Sequence, residues 1–337
     1  MGYRTDLAGQ PLDIKPPFAA VSFRRFRGDS DYEHIARLLM ATSRHDGGFR
    51  FETAERVGRG YANLYNCDPY LDMIFADVGD ATVAYSRVMW EDRLDDTRSY
   101  GAYGWVDPAF RKRGIGTAMY EANERRIRHI AATHPSDVAK TIATYTSEAD
   151  VSGVRLFEKH GFKPDMYIAD MVRPNLDDIP EAPMPEGLVV RTPTPEEYRK
   201  VWEADVEAFR DHHDASEAQE EWFQEFISDP DLDPTLWRVA WDGDEVAGQV
   251  RSFIDKEQNE EYGRLRGWTE DISTRRPYRG RGLARSLLCQ SLGAVRDAGM
   301  QEAALSVHTD NPLGAYQLYE SVGFVVEHRD IDFKKPL

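Results

Sequence analysis

The sequence predicts an α/β protein built from two similar mixed units in tandem, and three observations carry that reading. Strand-like runs alternate with helical ones and outnumber them. A positively charged glycine loop occurs twice, as "FRKRGIG" (110–116) and "YRGRGLA" (278–284). Each copy is followed by a matching helix end, "GVRLFEKHGFKPD" (153–165) and "AYQLYESVGFVVE" (315–327). Between the halves, "RPNLDDIPEAPMPEG" (173–187) is rich in proline and acidic residues with little to bury, the composition of a linker. The expected organisation is a leader over 1–20, a first domain over 21–173, a linker over 174–187 and a second domain over 188–337.

The second half shows the elements most clearly. "LVVRT" (188–192) starts a short strand, and "PEEYRKVWEADVEAF" (195–209) places Tyr198, Val201, Trp202, Val206 and Phe209 near helical spacing. "SEAQEEWFQEFI" (216–227) reads as a further helix. "LWRVAWDGDEVAGQVRSFI" (236–254) alternates on either side of a "DGD" turn, the signal for a hairpin. "RGWTEDIST" (266–274) is the strand that leads into the glycine loop. Leu283, Leu287, Leu288, Ser291, Leu292 and Val295 then give the next helix its buried stripe. "AALSVH" (303–308) is a strand, "PLGAYQLYESV" (312–322) a helix and "FVVEHRDIDF" (324–333) a last strand.

Composition narrows the function classes. The 337 residues carry a formal net charge of -17, which argues against nucleic acid or an anionic membrane surface as the bulk partner. No apolar run has the length of a membrane span, and "MGYRTDLAGQPLDIKPPFAA" lacks the basic flank and apolar centre of a signal peptide. Cys67 and Cys289 stand far apart without metal-type spacing, as suits a reducing, cytoplasmic setting. No metal site is expected: "DHHD" (211–214) has no matching ligand set elsewhere.

The glycine loop is where the chemistry concentrates. A strand that turns into a helix through glycines leaves the first helical N–H groups unpaired, and the helix dipole makes them an anion pocket. Gly280 and Gly282 let the backbone approach a guest closely, while Arg279, Arg281 and Arg285 add charge-assisted donors. A diphosphate suits such a pocket. The loop is neither a Walker loop, since no Lys-Ser/Thr follows Gly282, nor a dinucleotide fingerprint, since a third glycine is missing.

These residues resemble the GNAT superfamily of acyl-CoA-dependent N-acyltransferases, in two copies that cover nearly the whole chain. The resemblance implies two GNAT-like domains, each a mixed, mostly antiparallel sheet flanked by helices, with acetyl-CoA as cosubstrate. By position it implies pantetheine contacts at Ile272, Ser273 and Thr274, and phosphate contacts from Arg279, Gly280, Arg281, Gly282, Leu283, Ala284 and Arg285. The family's downstream Asn and Tyr look like Asn311 and Tyr319, with one residue more between them than usual. The halves are unequal: Tyr319 aligns with Phe157, Asn311 with Ala149, and Glu270 and Asp271 with Ala102 and Tyr103. Catalysis is therefore expected in the second half, with a structural first half whose loop, Arg111 to Gly116, is left open as a second CoA site.

An alkylamine is almost wholly protonated at neutral pH, so the expected acetyl transfer to a small, cationic primary amine needs a base. Glu270 and Asp271 are the candidates, with His308 a third. Strand alternation puts only one carboxylate on the substrate side, and Glu270 shares parity with Ile272 and Thr274. Tyr319 is the expected acid for the departing thiolate. Acidic residues between Glu203 and Asp233 form an expected negative rim for the amine. A non-catalytic acyl-CoA sensor and an acyltransferase acting on a peptide or protein amine remain the alternatives, and the chain is compatible with a monomer or a homodimer.

Overall fold

The computed structural model of the chain describes residues 2–62, 64–212, 215–310 and 314–337. It divides into two compact units, Met1–Met166 with Asp330–Leu337, and Tyr167–Arg329. Among the described residues no helix is long and apolar enough to cross a membrane.

In chain order the elements of the first stretch are β1 (Val21–Arg24), α1 (Tyr32–His45), α2 (Ala54–Ala62), α3 (Pro69–Asp72), β2 (Met73–Val78), β3 (Ala81–Asp92), β4 (Arg98–Val106), α4 (Ile115–Ala131), β5 (Lys140–Ser147), α5 (Val151–Lys159) and β6 (Lys163–Arg173). There follow β7 (Val189–Val190), α6 (Tyr198–Phe209), α7 (Glu220–Ser228), β8 (Arg238–Asp242), β9 (Glu245–Phe253), α8 (Lys256–Tyr262), β10 (Arg266–Thr274), α9 (Leu283–Asp297), β11 (Glu302–His308), α10 (Ala315–Ser321) and β12 (Val325–Pro336).

In the first unit the strands run β1-β2-β3-β4-β5 and then the Asp330–Pro336 part of β12. In the second they run from the Ile168–Arg173 part of β6 through β11, β10, β9 and β8 to β7. Each sheet is antiparallel except for one parallel pair, β4 with β5 and β10 with β11, so the mixed sheet flanked by helices is the observed architecture. The expected break at Arg173 is displaced. Ile168–Arg173 hydrogen-bond to β11, and Asp330–Pro336 return to β5, so strands written at the end of one half finish the sheet of the other unit. Their partners are distant in sequence, which hides the exchange from local patterning.

The helix after the second loop packs as its stripe predicts. Leu283, Leu287, Leu288, Ser291, Leu292 and Val295 are all buried. Gly267 makes room for it on β10: a Cβ there would lie 2.3 Å from Val295 Cγ1. Helix α6 is turned from its expected stripe, burying Val201, Ala204, Asp205 and Ala208, because Asp205 faces Arg251 on β9. Helix α8 is an addition. Its signals were present in the sequence: Asp255 caps the N–H of Gln258, and Gly263 closes the end at φ 61°. Neither leader nor linker is loose. Leu12, Ile14 and Phe18 pack with Ile115 and Met119, while Leu176 is buried in the core that surrounds Tyr319.

Candidate active site

A cavity of about 760 Å³ opens inside the second unit, a volume typical of small-ligand sites. One end is walled by Gly280, Gly282, Leu283, Ala284 and Arg285, the other by Glu270, Asp271, Ser306, His308 and Tyr319. Ile272, Ser273 and Thr274 run between the two ends, and Phe209, His212 and Leu318 supply the sides. The fold thus brings the expected carboxylates, tyrosine, strand and loop to one space. Asn311 lies outside the described residues, as do His213 and Asp214 of "DHHD". Among the described residues no group of three His, Cys, Asp or Glu side chains gathers as a metal would require.

The loop leaves open space in front of the helix N-terminus. Gly280 and Gly282 have φ of 72° and 82°, left-handed values that penalise any Cβ. A Cβ on either would meet nothing within 4 Å, so the space before the loop is free. Gly282 is the N-cap of α9, whose first N–H groups have no partner inside the helix. The three arginines have different tasks. Arg279 is a strut: its fork donates to the Thr274 carbonyl at 2.9 Å, to Asp211 at 2.5 Å and to the Ala208 carbonyl at 3.1 Å. Arg281 donates to the Glu186 carbonyl at 3.1 Å and stands off the cavity wall. Arg285 lines the cavity, as does Arg279, and has one donor on Ser321 Oγ at 2.6 Å.

At the other end, β10 breaks its ladder with β9. Glu270 pairs with Arg251 and Ser273 with Gln249, so Asp271 and Ile272 together face one residue. This is a β-bulge, with Asp271 at φ 49°. The bulge defeats strict alternation and turns both carboxylates into the cavity. They are then distinguished by their partners. Asp271 is bridged to Arg251 at 3.0 Å, and Arg251 reaches buried Asp205 at 3.1 Å. Glu270 accepts a hydrogen bond from the Ser306 backbone N–H at 2.9 Å. Burial, followed by repulsion from Asp271, holds the Glu270 carboxyl well above the ordinary carboxylate range, and the Ser306 N–H only partly offsets this.

Tyr319 is 5 % exposed, and the described residues give its hydroxyl no hydrogen-bond partner although it lines the cavity. Burial, with the nearby charge of Glu270, pushes its pKa above the ordinary tyrosine value and keeps it protonated. Thr274 Oγ1 is buried without a partner. A buried polar atom is seldom left unpaired, and Thr274 lines the cavity between the loop and the carboxylates, so the residues fit a polar guest such as acetyl-CoA. His212 is pushed below the usual histidine range by burial and by the charge of His308.

Part of the acidic rim is neutralised by arginines. Glu207 pairs with Arg275, Asp211 with Arg276 and Arg279, Glu217 with Arg210 and Glu220 with Arg199. The carboxyl groups that line the cavity itself are the inner pair, Glu270 and Asp271. Sequence reasoning missed Ser306, Arg251 and Asp205, which are joined to the site only by tertiary pairing.

The first unit differs at each of these points. Strand β4 pairs with β3 in unbroken register from Arg98 to Val106, without a bulge. Tyr103 folds over Gly101, where a Cβ would come within 2.5 Å of its ring. In the loop, Gly114 faces Pro17 of the leader, whose Cβ lies 2.9 Å from where a glycine Cβ would be. Arg111 is engaged by Asp46 and Asp150.

Comparison with known proteins agrees with this geometry. Residues 198–324 match the Acetyltransferase (GNAT) family, and residues 70–164 match an Acetyltransferase (GNAT) domain. The chain is similar to mycothiol acetyltransferases, being 26% identical to that of Geodermatophilus obscurus over 68% of this chain and 72% of the relative. With that of Streptomyces bingchenggensis it shares 29% identity over 90% of this chain and 92% of the relative. Among solved structures, a GCN5-related N-acetyltransferase from Sphaerobacter thermophilus superposes with a TM-score of 0.73 at 29% identity, covering 95% of this chain and 96% of the other. With a matching domain in each half and a likeness that runs nearly end to end, the chain belongs to the GNAT family as a tandem acyl-CoA-dependent N-acetyltransferase.

Proposed function

We propose that the second unit transfers an acetyl group from acetyl-CoA to the primary amine of a small, cationic acceptor by direct attack, and that the first unit is non-catalytic. The observation that carries this reading is one cavity with an anion-binding glycine loop at one end and two carboxylates and a tyrosine at the other. Glu270 and Asp271 attract the ammonium form of the acceptor. Glu270 then takes the proton that must leave before the nitrogen can attack; its raised pKa brings it closer to the amine's own than an ordinary carboxylate stands. The bulge at Asp271 and Ile272 frees backbone from the ladder to polarise the thioester carbonyl. Tyr319 supplies a proton to the thiolate that departs.

The named relatives act, by their names, on a small molecule, which supports a small-molecule amine here. Thiol release from acetyl-CoA across polyamines, aminoglycosides and amino-sugar conjugates tests the reading. Tight binding with no turnover on any amine would point instead to an acyl-CoA sensor. Tyr319→Phe is expected to lower kcat by roughly a hundredfold or more with acetyl-CoA affinity little changed; equal turnover removes Tyr319 from the reaction. Arg285→Ala is expected to raise the acetyl-CoA Kd about tenfold, whereas Arg281→Ala leaves it within a factor of about two, as calorimetry would show.

A further inference from the structure

The sheet face that supports α1 and α2 in the first unit carries a group of side chains that acyl transfer does not use. On neighbouring strands Met73 is opposite Arg87 and Arg87 opposite Tyr103, while Phe75 is opposite Tyr85 and Tyr85 opposite Trp105. Directly opposed residues share a face, so these rows lie side by side. Tyr145 extends them, with its ring 5.6 Å from Tyr103 and 6.2 Å from Trp105. Phe75 and Tyr85 are buried, but Arg87, Tyr103, Trp105 and Tyr145 are only half-buried.

Arg50, from the segment between α1 and α2, keeps 42 % of its side-chain surface open. Charge around this unit's aromatic rows is uneven. Glu52 pairs with Arg50 at 3.1 Å, Glu91 with Arg93 at 2.8 Å and Asp72 with Arg126 at 2.7 Å. Arg87 makes no ion pair or hydrogen bond to any described residue; its guanidinium lies over the Tyr61 ring, 5.6 Å from the centroid. In the second unit the position aligned with Tyr103 is Asp271, so one strand position is aromatic beside an unmatched cation in one unit and anionic in the other.

We propose that the first unit holds a second small-molecule site, in which Arg87 binds the carboxylate of a flat-ringed monoanion whose ring packs among Tyr103, Trp105 and Tyr145. A planar guanidinium with its donors unspent matches a carboxylate through two parallel hydrogen bonds. Aromatic walls favour a ring over an aliphatic chain. The site takes a ligand of opposite charge to the amine acceptor and is independent of which unit carries out transfer.

The test is saturation-transfer NMR and calorimetry on the full chain with 4-hydroxybenzoate, acetyl-CoA being present in excess to fill the cavity of the second unit. The expected result is saturable binding, with transfer to the ring protons. Benzyl alcohol and acetate, which each keep half of the chemistry, bind at least about tenfold more weakly. Arg87→Gln weakens 4-hydroxybenzoate about tenfold or more, and Arg87→Lys, which keeps the charge but loses the fork, falls between. Unfolding midpoints of both variants near that of the parent show that the fold is intact. Should Arg87→Gln unfold the chain, Tyr103→Leu, which removes a ring and keeps the cation, is expected to lower affinity instead. Failure to bind at millimolar concentration overturns the proposal, as do equal binding by Arg87→Gln and displacement by acetyl-CoA.

Discussion

Glu270→Gln is expected to lower kcat/KM by roughly 10² to 10⁴, the range of a general base, while acetyl-CoA still binds. Glutamine keeps the shape and can still accept from the Ser306 N–H but cannot take a proton. The pH dependence follows from the direction of the Glu270 shift. Its carboxyl must be ionised to act, and burial with repulsion from Asp271 raises the pH at which it ionises. Activity in the parent therefore falls, as pH is lowered, through a limb placed above the ordinary carboxylate range, and that limb is absent from the residual activity of the variant. Stability moves the other way. A carboxyl whose pKa is raised on folding contributes stability below its unfolded pKa and loses it as pH rises through the folded one. At pH 8 Glu270→Gln is thus expected to melt at a higher temperature than the parent, with the difference vanishing in acid. An inactive variant that is also less stable at pH 8 would mean that Glu270 serves the fold rather than the reaction.

Gly248→Ala is expected to cost at least about tenfold in acetyl-CoA affinity and to lower kcat as well. Gly248 lies on β9 beneath both halves of the site. A Cβ there would stand 2.8 Å from the Ser273 carbonyl, 3.2 Å from Leu283 Cδ2 and 3.3 Å from Thr274 Oγ1. The nearest of these is backbone and cannot rotate away, so β10 must shift beside its bulge. One methyl group therefore disturbs the strand that lines the cavity and the first residue of α9 together. Far-ultraviolet circular dichroism checks that the fold survives, and calorimetry with acetyl-CoA reads the loss. Unchanged affinity would mean that β9 and β10 separate there without effect on the loop.

The loop and its neighbours were legible because their signals are local. Gly280 and Gly282 stand in a strand-to-helix turn, and the apolar stripe of α9 is regular. The contrast of Tyr319 with Phe157 needed only the internal alignment. What was not legible depends on pairing at a distance. Nothing in "RGWTEDIST" announces that Asp271 leaves the extended region, and so the two carboxylates were sorted to opposite faces when both reach the cavity. Arg279 lines the cavity, as its place beside the glycine suggests, but that its fork is engaged by Asp211 and by the Thr274 and Ala208 carbonyls could not be read locally. Burial of Asp205 follows from Arg251, on a different element, and so could not be inferred from helical spacing.

The return of Asp330–Pro336 to β5 sets an order on biosynthesis. The ribosome makes β5 long before the strand that completes its edge, and the whole of the second unit emerges in the interval. Until then the nascent first unit carries an unsatisfied strand border, a known hazard for intermolecular pairing. The same arithmetic governs dissection of the gene. A fragment cut at the linker leaves Ile168–Arg173 behind and strips β11 of its neighbour, so each half expressed alone is expected to aggregate where the uncut polypeptide stays monodisperse.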